Sequence, residues 1–88
     1  MQEAIHATIR GIVIPDAWDD LGNVVTVAVF TFQEEKIRII NDPLGSALKH
    51  HLRQRVILNG EVVSQGLFPA IRVRHYRVEQ GSSEPGKR

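Results

Sequence analysis

A single break in hydrophobic periodicity constrains this chain more than any other feature. Apolar and polar residues alternate along residues 3–14 and 36–41, and again along 54–63 and 70–79, while residues 24–32 are all β-formers. Between these groups Leu44, Ala47, Leu48 and Leu52 recur at helical spacing behind Asp42 and Pro43. Period two marks a strand with one buried face, and a three-to-four spacing marks the stripe of a helix. Asp42 supplies an N-cap oxygen, and Pro43 suits the first helical position, where no N–H is needed. Gly45 lowers helix propensity, so the helix is expected to be short. Lys49, His50, His51 and Arg53 put positive charge near its C-terminal end, where the helix dipole favours it. The predicted order is β-β-β-α-β-β.

Eighty-eight residues make one domain, expected over 1–79, with the polar segment 80–88 as a disordered tail. A chain this short buries only about 60–65% of the surface its unfolded form exposes, so its aliphatics must serve one core. There is no cysteine, which rules out disulfides and cysteine-based zinc sites. Met1 to Arg10 lacks the basic-then-apolar pattern of a leader, and no apolar run reaches membrane-spanning length, so a cytoplasmic protein is expected. The net charge of +1 predicts no polyanion partner by itself, but arginine gathers late, at Arg72, Arg74 and Arg77.

Within the strands, Ile5, Ala7, Ile9, Gly11 and Val13 form one face of the first, and Gly11 suggests a bend. Pro15 is expected to end that strand, leaving Pro15 to Asn23 as a loop. A two-residue hairpin at Glu34-Glu35 would place Phe32 opposite Ile37 and Phe30 opposite Ile39, all four in the core. Thr31 would then face Arg38 and Val29 face Ile40 on the outside, with Val25 and Val27 continuing that outer face. Val56, Leu58, Gly60 and Val62 point inward on the fourth strand, and Ser64 to Pro69 reads as a loop around Gly66. The apolar phase slips between Val73 and Tyr76, which predicts a bulge near Arg74 and His75.

Gly11 in mid-strand, Val56-Ile57-Leu58-Asn59-Gly60-Glu61-Val62 and Ile71-Arg72-Val73-Arg74-His75-Tyr76-Arg77-Val78 stand in an order that resembles the OB-fold family. The resemblance covers roughly residues 3–79. It is nearest to small stand-alone bacterial OB proteins, similar to nucleic-acid-binding OB domains. It implies an all-β, five-stranded Greek-key barrel with the helix between strands three and four, and a ligand surface framed by the first and last hairpin loops. An SH3-like barrel is the competing fold, but it does not normally carry a capped helix in this slot.

Two functions follow as expectations. In the first, the chain binds single-stranded nucleic acid through Arg10, Lys36, Arg38, Arg72 and Arg74, with Trp18 and Phe68 stacking on bases from the loops. Trp18 and Phe68 stand either exposed or folded back as lids on the barrel ends. In the second, Val25, Val27 and Val29 form an aliphatic patch for a protein partner or a homodimer. No enzyme, metal or cofactor is expected. There is no nucleophile elbow, phosphate loop or His-Glu-x-x-His pattern. His50 and His51 point about 100° apart on a helix, and His6 and His75 lack ligand spacing. Asp16, Asp19, Asp20 and Asn23 do not match a calcium loop and read as turn residues.

Overall fold

Alternation and helical spacing translate into seven elements in a computed structural model that describes residues 5–65 and 68–79. They are β1 (Ile5–Trp18), β2 (Val24–Thr31), β3 (Lys36–Ile39), a helix α1 (Pro43–Ala47), a 3-10 turn (Leu48–His51), β4 (Arg55–Gln65) and β5 (Phe68–Glu79). The expected tail and Gly66 lie outside the described residues. The sheet closes into a ring in the order β1-β2-β3-β5-β4, with β4 returning to pair with β1. Every pairing is antiparallel except the short β3–β5 contact, where Arg38 faces Ala70 and Ile39 faces Ile71. Among the described residues no helix is long and apolar enough to cross a membrane.

The inner face follows the alternation in β1, β4 and β5. Val13, Val56, Leu58 and Ile71 are fully buried, and Ile9 joins them. In β5 the phase slip is a bulge. Asn59 faces His75, but Gly60 faces Val73, which leaves Arg74 as the extra residue. The bulge lets Ile71 and Val73 on one side, and Tyr76 and Val78 on the other, all turn toward the core.

The helix forms as its cap predicts. Asp42 accepts a 2.9 Å bond from the Gly45 amide through Oδ1, and Pro43 opens the first turn. Only five residues are α-helical before the chain tightens into the 3-10 turn. That turn drives Leu48, fully buried, into the core between β1 and β2. Replacing Asp42 with alanine orphans an amide in a helix with little other support. It is expected to cost about 1 kcal/mol of stability, read as a lower urea midpoint.

Three expectations need correction. β1 does not stop at Pro15 but runs to Trp18, with Pro15 opposite Val27. The β1–β4 pairing ends at Ile12–Arg55, so Pro15 sits where one edge of β1 no longer needs a ladder donor. Phe68 is not in a loop; it begins β5, opposite Gln65. The largest correction concerns the β2–β3 register. Phe30 faces Lys36, Val29 faces Ile37 and Ala28 faces Arg38. The loop closed by the Thr31–Glu35 pair is three residues, Phe32-Gln33-Glu34, not two. Thr31 N donates to Glu35 O and Glu34 N to Thr31 O, with Glu34 left-handed at φ 66. The Thr31 hydroxyl accepts from the amides of Gln33 and Glu35. An odd-length loop exchanges the two faces of the strand. Val27 and Val29 therefore fill the core with Ile37 and Ile39, while Phe30 and Phe32 point out.

Candidate functional site

The exchanged faces put aromatic rings and cations side by side on the outside of the ring. Ile12 on β1 faces Arg55 on β4 and Phe30 on β2, and Phe30 faces Lys36 on β3. Arg38 faces Ala70 in parallel register, which sets Phe68 level with Lys36. One row of outward positions thus runs Arg55, Ile12, Phe30, Lys36, Phe68, crossing all five strands. Neighbouring strands are about 4.8 Å apart, so ring and cation alternate at close range across β2, β3 and β5.

The aromatic side chains are exposed: Phe30 by 42%, Phe32 by 55% and Phe68 by 54%. Two of them already carry a guanidinium. Arg55 lies 5.6 Å from the Phe32 ring centre and Arg38 lies 5.5 Å from that of Phe68, both within cation–π range. Arg10 shares with Phe32 a hollow of about 290 Å³ that Thr8 and Glu35 also line. Lys36, Arg38 and Phe68 enclose a smaller one of about 50 Å³.

The sequence-predicted residues divide into two groups. Lys36, Arg38 and Phe68 come together, and Arg10 lies in the separate hollow beside Phe32. Trp18 is exposed at the end of β1 opposite Val24, next to the turn and away from the row, so neither it nor Phe68 acts as a lid. Arg72 and Arg74 belong to a different cluster. Arg74 donates from Nη2 to both oxygens of Glu61, at 3.1 and 3.2 Å, and Arg72 faces Glu61 across the β4–β5 ladder. His6 approaches the same carboxylate at 3.8 Å. Phe30, Phe32 and Arg55 are the members that sequence reasoning missed. The register hid both phenylalanines, and Arg55 shows its role only beside Phe32. Of the aliphatic patch expected at Val25, Val27 and Val29, the last two are buried and Val25 is exposed.

Asp19 of the β1–β2 turn is structural. Asp19 Oδ1 accepts from the amides of Leu21 and Asn23, both at 2.9 Å. These bonds, that of Asn23 above all, lower the Asp19 pKa below the usual 3.8. Among the described residues no three of His, Cys, Asp or Glu gather as a metal-binding group. Comparison of the chain with protein-family models, curated proteins and solved structures gave no match.

Proposed function

We propose that this chain is a non-enzymatic OB-type module that binds single-stranded nucleic acid along the outward row that runs from Arg55 to Phe68. The strand order β1-β2-β3-β5-β4, with the helix between β3 and β4, supports the barrel type. The observation that carries the function is the pairing of exposed rings with arginines, Phe32 with Arg55 and Phe68 with Arg38. Folding gains little from leaving three phenylalanines half in water, but a strand with unstacked bases gains a platform. Bases stack on the rings or on the guanidinium planes, and Arg10, Lys36, Arg38 and Arg55 meet the phosphates. Such stacking is sequence-tolerant, so little preference among bases is expected.

The test is fluorescence anisotropy of labelled oligo-dT and oligo-rU at rising salt. Single-strand binding releases counterions with a log–log slope of about −0.7 per phosphate contact. Four available cations predict a slope of about −2 to −3. A duplex of equal length is expected to bind more weakly, because its bases are already stacked on each other. Absence of binding to either single strand at low salt rules the proposal out.

A further inference from the structure

Asp16 is the acidic side chain that pairs with both Lys36 and Arg38, and its placement is unusual. Pro15 faces Val27, but Ala17 faces Thr26, so a register shift leaves Asp16 without a partner in the β1–β2 ladder. Bulges re-aim side chains, and here the carboxylate reaches over β2 to β3. Its Oδ1 lies 2.8 Å from Lys36 Nζ and its Oδ2 lies 3.5 Å from Arg38 Nε, while the Thr26 hydroxyl donates to Oδ2 at 3.4 Å. Ala28 stands on the same outer face, opposite Ile14 on one side and Arg38 on the other, yet is fully buried. A methyl group at an outward position is covered only when neighbouring side chains close over it. The small residue at 28 leaves the space through which Asp16 reaches the cations.

The Asp16 side chain keeps only 10% of its exposure, whereas Lys36 and Arg38 keep 49% and 53%. The two cations are therefore held from below and open to solvent from above. A carboxylate and a phosphodiester present the same feature to an ammonium and a guanidinium, a pair of anionic oxygens at hydrogen-bonding distance. We infer that Lys36 and Arg38 form a phosphate seat that Asp16 fills in the free protein and yields when a nucleic-acid strand binds. The inference rests on the nucleic-acid reading above. In this arrangement Asp16 weakens binding by competing for both cations. It also keeps them parked beside Phe68, so the free protein holds the seat assembled.

The test compares wild type with Asp16→Asn by the same anisotropy titration, with Asp20→Asn as a control of equal net charge on the β1–β2 turn. Asparagine keeps the size of the side chain and an oxygen for Thr26 and Lys36, but gives up the charge. At about 50 mM salt Asp16→Asn is expected to bind oligo-dT roughly five- to tenfold more tightly. Its salt slope should stay close to that of wild type, because Lys36 and Arg38 meet phosphates in both complexes. Asp20→Asn is expected to change affinity less than twofold. Wild type that binds while Asp16→Asn binds equally or more weakly overturns the inference and leaves the nucleic-acid reading standing. Failure of both proteins to bind overturns the reading itself. A measurement on wild type covers the case of a misfolded variant. Saturating oligo-dT should shift the carboxyl carbon resonance of Asp16 and the Nζ resonance of Lys36, and an unmoved Asp16 signal in the complex overturns the inference.

Discussion

Alanine at Phe30, Phe32 and Phe68 together is expected to abolish measurable oligonucleotide binding while leaving the fold intact. Base–aromatic stacking contributes about 1–3 kcal/mol per base, so even the lower value, taken three times, predicts roughly a hundredfold loss. Cation–π contact with Arg38 and Arg55 is lost as well, and this leaves those guanidiniums less well placed for phosphates. The stability prediction is the more discriminating half. These rings are about half exposed, so each truncation should cost under about 1 kcal/mol, in the range of surface changes. A buried phenylalanine would cost about 3–5 kcal/mol, and a domain of this size would not survive three such losses. Urea denaturation and anisotropy on the same variant separate the two. A stable triple variant that binds as well as wild type would move the ligand site elsewhere.

That experiment falls on the point where the sequence was least legible. The elements themselves could be read: the cap at Asp42-Pro43, the bulge at Arg74 and the inward faces of β1, β4 and β5 all follow from period and phase. The faces of β2 could not. Val24 to Phe32 is apolar at almost every position, so alternation does not say which set is buried. The register depends on the turn, and Phe32-Gln33-Glu34 contains no glycine or asparagine to reveal the left-handed residue. Glu34 takes that conformation while the Thr31 hydroxyl holds the amides of Gln33 and Glu35. A shift from two loop residues to three reversed Val27, Val29, Phe30 and Phe32 at once.

The same geometry explains why the candidate site was half visible. Phe68 is far from Lys36 and Arg38 in sequence and becomes their neighbour only because β3 and β5 run parallel for a short stretch. Arg72 and Arg74 look equivalent to Arg38 in composition. Glu61 claims Arg74 and faces Arg72, a cross-strand relation that needs the register of β4 and β5. Single-residue chemistry names candidates, whereas pairing across strands decides which of them meet.

Valine at Gly11 is expected to unfold the protein, and the reason ties the ring to its outer face. Gly11 faces Thr31 on β2 and Val56 on β4, so it lies where β1 belongs to both ladders. A Cβ there would fall on the carbonyl oxygen of Phe30 and within 2.8 Å of Val29 Cγ2. The first obstacle is backbone and the second is a fully buried side chain, so neither can give way cheaply. Overpacking a core costs about 1–3 kcal/mol, and more when backbone must move. Alanine should take about 3 kcal/mol or more, and valine should exceed what an 88-residue domain can spare, since stability runs at about 0.05–0.15 kcal/mol per residue. Gly22 provides the contrast. It has φ 87 with nothing within 4 Å, so alanine there meets only backbone strain of about 1 kcal/mol. Far-UV circular dichroism and urea midpoints of Gly11→Ala, Gly11→Val and Gly22→Ala rank the three. Because the Gly11 Cβ presses on Phe30 itself, Gly11→Ala should also lower oligonucleotide affinity in conditions where it remains folded. A wild-type midpoint for Gly11→Val would mean that β1 does not pass over the Phe30 backbone. The outward turn of Phe30 would then lose its basis.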